Sequence, residues 1–190
     1  MADTNAQILE GERITASIGM MVAIISFGML FASLFLGFAV FRINTPVWPP
    51  MGLKRPELLI PSVSTFLIVL SSFFLEKFSR SLEKYPKKIL FFISLTLGIL
   101  FIVSQFDLWN NLKSQGLLAS SGIYGSLIYA FTWIHVAHMV LAVSFLFFLT
   151  PSILRGDYKN KNKLKILNAT KLWHFLAIVW GLMFLFLFIF

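Results

Sequence analysis

At 190 residues the chain has the length of one ordinary domain, but 58% of its residues are hydrophobic, 22 are Phe and only 13% are charged. That balance excludes a soluble globular fold, in which charged residues make up about a quarter. The absence of cysteine excludes a disulfide, a thiolate metal site and a cysteine nucleophile. The formal net charge of +8 sits in clusters between uncharged segments, so membrane topology accounts for it and nucleic-acid binding is not expected.

The first uncharged segment covers residues 14–41, between Arg13 and Arg42. It predicts a membrane-spanning helix over about 14–42, since roughly 20 apolar residues cross a bilayer. Asp3, Glu10 and Glu12 precede it and the run is too long for a signal-peptide core, so no cleaved leader is expected. Gly28 with Ala32 and Ser33 with Gly37 are small residues four apart, a spacing that allows close helix approach. The following stretch, Thr45-Pro46-Val47-Trp48-Pro49-Pro50-Met51-Gly52, is a rigid turn, and Trp48 fits the headgroup boundary.

Residues 58–75, between Glu57 and Glu76, predict a second span over about 58–80, with Pro61 in its first turn. Its hydroxyl residues (Ser62, Ser64, Thr65, Ser71, Ser72) are expected to bond back to their own backbone. Residues 89–106 predict a third span over about 87–109, ending in Gln105-Phe106-Asp107-Leu108-Trp109, with Asp107 at the water boundary. Residues 123–149 predict a fourth over about 121–150, closed by Thr150-Pro151. On its wheel Gly122, Ser126, Ala130, Ala137 and Ser144 form a small-residue stripe, with Tyr124, Phe131, His135, His138 and Ala142 nearly opposite. Met139, Val136 and Val143 fall on a flank expected to face lipid, and this helix is predicted to be the most buried. The fifth span, about 171–190, opens with Trp173 and His174 within a turn of Lys171, where interfacial rings are common.

The expected architecture is an all-α membrane protein, a single domain over 1–190 made of a five-transmembrane-helix bundle. Lys and Arg number twelve on the side of the N-terminus and four on the other side. The positive-inside rule therefore puts the N-terminus in the cytoplasm and the C-terminus outside.

His135 and His138 share one face at hydrocarbon depth, which is costly for imidazoles without partners. Paired imidazoles from two helices can ligate haem, but His138 lies about 18 Å along its helix from Thr150 and His174 about 5 Å from Lys171. Two ligands about 13 Å apart in depth do not serve one haem. No carboxylate is expected at the depth of His135 and His138, so histidines satisfied by hydroxyls or carbonyls of packed helices are the expected state. No nucleophile–base pair, phosphate loop or carboxylate dyad appears, and the chain is expected to perform no chemistry alone. The alternative is a small membrane subunit that binds haem or quinone through His135 and His138. A transporter would show internal repeats or interrupted helices, and neither is seen.

Four stretches carry a resemblance. They are Trp48-Pro49-Pro50-x-Gly52; Gly98 with Gln105-x-Asp107-x-Trp109, Leu112 and Gly116; Phe131-Thr132-x-x-His135-x-x-His138; and Trp173-His174-Phe175-x-x-x-Val179-Trp180. In order, they resemble the Trp-Pro-Pro loop, the Gln-x-x-Glu region, the Thr-Gly-Phe-His-Gly-x-His motif and the Trp-His-Phe-Val-Asp-x-Val-Trp ending of subunit III of haem-copper terminal oxidases. The resemblance runs from the first helix to the C-terminus. It implies the five-helix form of a non-catalytic subunit that binds subunits I and II of a respiratory complex, cytochrome c oxidase in type, and further subunits of that complex. Haem and copper would lie in those partners, with no cofactor in this chain except bound phospholipid. The implied role is to stabilise subunit I, support its proton uptake and hold structural lipid in the bacterial inner (plasma) membrane. In the seven-helix form the lipid cleft is completed by two helices before the first span seen here. The implied subunit-interface or lipid residues are Trp48, Pro49, Pro50, Gln105, Asp107, Thr132, His135, His138, Trp173, His174 and Trp180. This chain departs from the family where Phe27 follows Ser26 in place of a carboxylate, where Trp133 replaces the motif glycine, and where Ala177 replaces the final motif's aspartate.

Overall fold

The computed structural model describes residues 2–47, 56–82, 86–158 and 160–189. Five long helices account for nearly all of them: α1 (Ala2–Asn44), α2 (Leu59–Ser81), α3 (Lys88–Ser114), α4 (Ile123–Arg155) and α5 (Asn160–Phe184), which continues as a π-helical turn at Leu185–Ile189. No strand occurs among the described residues. Each helix contains a span of 23 residues or more that is apolar enough to cross a membrane. Twenty-three residues rise about 34 Å, which exceeds the roughly 30 Å of a hydrocarbon core. The protein is an all-α membrane protein.

The helix ends follow from local chemistry. α1 stops where Asn44 Nδ2 and Thr45 Oγ1 donate to the carbonyls of Val40 and Phe41, both at 2.8 Å, just before Pro46. α3 closes on Gly116, whose φ of 78° allows paired bonds from Gly116 N to Lys113 O and Leu117 N to Leu112 O, both 3.0 Å. α4 closes the same way on Gly156, with Gly156 N to Ile153 O at 3.1 Å and Asp157 N to Ser152 O at 3.0 Å. These are left-handed glycine caps that satisfy the last carbonyls. Three expected boundaries move, since α3 runs on to Ser114, α4 to Arg155 and α5 starts early. Pro151 lies inside α4, which runs on to Arg155, because one missing N–H is tolerated in a membrane helix and the stop signal is Gly156. α5 begins at Asn160 instead of residue 171, because lysines do not break a helix and nothing between Asn160 and Lys171 does.

α2 and α3 pack against each other most extensively, α3 also meets α4, and α5 touches α1, α2 and α4. Serines make the α2–α3 seam close. Ser71 Oγ donates to Ser94 O and Ser94 Oγ to Ser71 O, each at 2.8 Å, and the Ser64 and Ser104 hydroxyls lie 2.7 Å apart. The expected bond back to its own backbone is present for Ser64, which donates to Ile60 O at 2.9 Å, and is replaced for Ser71 by the bond across to α3.

α5 has the largest buried share of the five spans and α1 the smallest, so α4 is not the most buried helix. The α4 face carrying Tyr124, Phe131, His135 and Ala142 is buried, together with Val136 and Met139. The flank expected to face lipid is thus inside. Gly122, Ser126 and Ala137 of the small stripe are exposed, because the bulky aromatic face, which excludes more water and lipid, took the core. On α1, an added Cβ on Gly28 would meet the ring of Phe175 at 3.8 Å, whereas Ala32, Ser33 and Gly37 are exposed.

Candidate functional site

The polar side chains of the bundle gather along α5. Trp173, expected at the headgroup boundary, is fully buried about 20 Å from the start of α5, because that helix begins eleven residues early. Its indole N–H donates to Ser71 Oγ at 3.1 Å, and its six-membered ring lies over Gly98. An added Cβ on that glycine would stand 2.5 Å from the ring, so only glycine lets α3 carry this indole. Two turns further on, Trp180 is also fully buried, and its N–H donates to Thr65 Oγ1 at 3.0 Å.

His174 is half-buried and held from both sides by α2. Nδ1 lies 2.5 Å from Ser72 Oγ, and Nε2 lies 3.0 Å from Glu76 Oε2. Arg80 Nε meets the other Glu76 oxygen at 2.6 Å. Ser72, Glu76 and Arg80 recur every four residues on one face of α2. A carboxylate accepts only, so Nε2 carries the proton, and in the neutral ring Nδ1 accepts from the Ser72 hydroxyl. The line Ser72–His174–Glu76–Arg80 ties α5 to α2 and leaves both imidazole nitrogens occupied.

The other two histidines stand on α4. His138 Nδ1 donates to Ile134 O at 2.7 Å, four residues back, and its ring meets Phe27 edge-on at 4.3 Å. Phe27 thus forms an aromatic wall against this histidine, at the position that the resemblance pairs with a carboxylate. His135 is fully buried, with both ring nitrogens lacking a hydrogen-bond partner. Phe31, Phe101 and Trp180 surround it at centroid distances of 6.0, 5.9 and 5.5 Å. The expected partners on packed helices are found for neither: His138 bonds to a carbonyl of its own helix, and His135 faces rings in place of hydroxyls.

Gln105 is also fully buried, with Oε1 unpartnered, while Asp107 on the same helix is exposed. Thr132 accepts the Trp109 indole N–H at 3.0 Å, and Trp109 stacks on Trp133 at 4.5 Å with planes 5° apart. The residue that replaces the motif glycine thus extends the α3–α4 contact. Trp48, Pro49 and Pro50 lie outside the described residues. The other three motif stretches meet: Gly98 against Trp173, Trp109 against Thr132, and His135 against Trp180. From the sequence, Thr65, Ser71 and Ser72 are expected only to bond back to their own backbone, and Glu76 only marks the edge of a span. The four-residue spacing Ser72–Glu76–Arg80 at a span's charged edge was the signal available for the last of them.

No group of three or more His, Cys, Asp or Glu side chains able to hold a metal occurs among the described residues. The haem- or quinone-binding alternative finds no support, since His135 faces only rings and His138 uses Nδ1 on its own helix.

The sequence profile described as Cytochrome c oxidase subunit III matches residues 6–190. The chain belongs to the cytochrome c oxidase subunit III family. It is similar to a cytochrome c oxidase subunit 3 from Synechocystis sp., with 26% identity over 88% of this chain and 72% of that one. A probable cytochrome c oxidase subunit 3 from Rickettsia bellii is 29% identical over 96% of this chain and 70% of its own. The cytochrome c oxidase subunit 3 of Thermostichus vulcanus is 23% identical over 90% and 86%. The protein is accordingly a subunit III of a haem-copper oxidase of the respiratory chain and a member of a multi-subunit complex.

Proposed function

We propose that this subunit III braces subunit I beside subunit II, supports proton uptake by subunit I and holds structural lipid, in a bacterial plasma membrane with its N-terminus in the cytoplasm. One observation carries the reading: polar side chains of α2 and α4 hold rings of the motif regions as struts between helices. Ser71 holds Trp173, Thr65 holds Trp180, Thr132 holds Trp109, and Ser72 with Glu76 holds His174. Polar groups engaged in this way fix helix positions, and a rigid bundle with long apolar outer faces suits a role as a brace. With Phe27 at the position of the family acid, support for proton uptake comes from stabilising subunit I and not from a carboxylate on α1.

The test is to purify the oxidase with and without this chain. Haem and copper per subunit I are expected to be unchanged, while the activity of the stripped enzyme decays faster during turnover. A haem or copper signal lost in proportion to the chain would overturn the reading. Orientation is checked by single cysteines placed at Lys165 and Lys113, in a chain that has no cysteine of its own. The first should label only after the cells are opened, and the second in intact cells.

A further inference from the structure

His138 stands at the middle of α4, about 22 Å from its start at Ile123 and about 26 Å from its end at Arg155. Its Nδ1 lies 2.7 Å from Ile134 O. A carbonyl only accepts, so Nδ1 carries the proton, and in the neutral ring Nε2 is left as an acceptor. Nε2 makes no hydrogen bond among the described residues. Unlike the two nitrogens of His135, it is not enclosed by the bundle: the ring is half-buried and this atom reaches the surface.

The surroundings offer Nε2 no donor. Phe27 and Phe31 of α1 stand against the ring at centroid distances of 4.3 and 5.5 Å. A carboxylic acid at position 27, which the family resemblance implies, could donate to this nitrogen, and a phenyl ring cannot. The neighbouring α1 hydroxyls serve their own helix, Ser26 donating to Val22 O at 2.9 Å and Ser33 to Leu30 O at 2.7 Å. Lipid does not supply the donor either. Headgroups lie roughly 15 Å from the middle of a hydrocarbon core about 30 Å thick, and acyl chains carry no N–H or O–H. The surface beside the ring is apolar: Leu30, three residues after Phe27, is 39% exposed, and Leu141, three after His138, is 63% exposed. A polar atom held at this depth calls for a protein partner.

We propose that the α1–α4 face at His138 receives a membrane helix of another oxidase subunit, which donates a side-chain hydroxyl to His138 Nε2. The chain itself shows the donor class, since Ser72 gives its hydroxyl to the imidazole of His174. A serine or threonine is also small enough to let two membrane helices approach closely. The assignment rests on the reading above of the chain as a brace for subunit I, and adds the place and the chemistry of one contact.

The experiment uses the complete purified oxidase with a photo-crosslinking residue at position 141 and His138 unaltered. Illumination should join position 141 to another oxidase subunit. Crosslinks to lipid alone, or to a second copy of this chain, overturn the proposal. The hydrogen bond is tested by the half-time for which the chain stays in the complex in mild detergent, because such losses show mainly in dissociation. His138→Phe keeps a ring against Phe27 but has no acceptor. Its half-time should be about threefold shorter, the equivalent of one average interhelical hydrogen bond in a membrane. His138→Gln keeps a carbonyl acceptor and should hold the chain nearly as long as the wild type. Retention of His138→Phe equal to wild type overturns the bond. An equal loss in both variants also overturns it, and assigns the effect to the ring. Should a variant fail to assemble, the crosslink from position 141 decides. Loss of the wild-type chain itself in mild detergent would instead count against its role as a brace, because that readout does not involve His138.

Discussion

The α2–α5 contact and the α1–α3–α4 contact each enclose a histidine, and they treat it in opposite ways. His174 lies at the edge of the bundle with a hydroxyl on one nitrogen and a carboxylate on the other. His135 lies fully buried among Phe31, Phe101 and Trp180 with neither nitrogen bonded. An unpaired buried polar group costs roughly 1–3 kcal/mol, and ring edges and faces offset part of that through their quadrupoles. The partner an imidazole finds is thus decided by the facing helix. α2 offers a serine, a glutamate and an arginine at four-residue spacing, while α1 and α3 offer phenylalanines. A polar joint holds the first histidine, and shape alone holds the second.

The polar joint can be broken most severely at Trp173. Trp173→Ala removes a fully buried indole from between α2, α3 and α5 and should cost about 3–5 kcal/mol in graded-detergent unfolding, the range for large aromatic truncations. Trp173→Phe keeps most of the packing and loses the bond to Ser71, so about 0.6 kcal/mol is expected, the average for interhelical hydrogen bonds in membranes. A similar loss in both variants would show that the bond, and not the packing, fixes α5. Next in size is Gly98→Ala. Its Cβ would meet an indole that cannot retreat without giving up Ser71, and overpacking of this kind costs about 1–3 kcal/mol. In a double-mutant cycle, Trp173→Leu should relieve most of that cost, because the clash needs both partners. An additive pair would mean that the indole does not lie over Gly98.

The five spans were legible because their signal is long and one-dimensional: charge clusters interrupt apolar runs, and the bilayer fixes the run length. Depth and rotation were less so. Trp173 was expected at the boundary because Lys171 looked like an edge, yet the helix runs through the lysines from Asn160. The α4 wheel separated two faces correctly but gave the small stripe a protein partner, when the aromatic face and its Val136–Met139 flank fill the core. What a wheel cannot weigh is which of two faces buries more area. The motif order was readable, and three of its pieces do touch. The Glu76–His174 bridge was not readable, because it joins residues 98 positions apart and each alone looks like an interfacial residue.

His174→Leu tests the polar joint at its exposed end. The change leaves the Ser72 hydroxyl and one Glu76 oxygen without their partner. Both side chains of the His174–Glu76 bond are about a third exposed, at 35% and 34%, so solvent replaces part of what is lost. A destabilisation of about 1–2 kcal/mol is expected, at the lower end of the cost of orphaning buried polar groups. His174→Gln, which can still donate to Glu76, should recover part of it. A full recovery would assign the joint to the carboxylate alone, and no recovery would assign it to Ser72 and ring packing.

His135→Leu should do least, and for that reason it discriminates best between the two regions. Leucine is close to imidazole in size and carries no polar atom, so the substitution removes two unsatisfied nitrogens and keeps the contact with Phe31, Phe101 and Trp180. Replacing an unpaired buried group by an apolar one of similar shape is close to neutral, so stability within about 1 kcal/mol of wild type is expected. His135→Gln keeps the unmet polarity and adds a side chain with more rotamers, and it should unfold more readily than His135→Leu. The order Leu above Gln follows only if the rings are the whole environment of this histidine. If His135→Leu instead lost as much as His174→Leu, a polar partner must reach His135 in the assembled oxidase. The two regions would then differ only in whether that partner belongs to this chain.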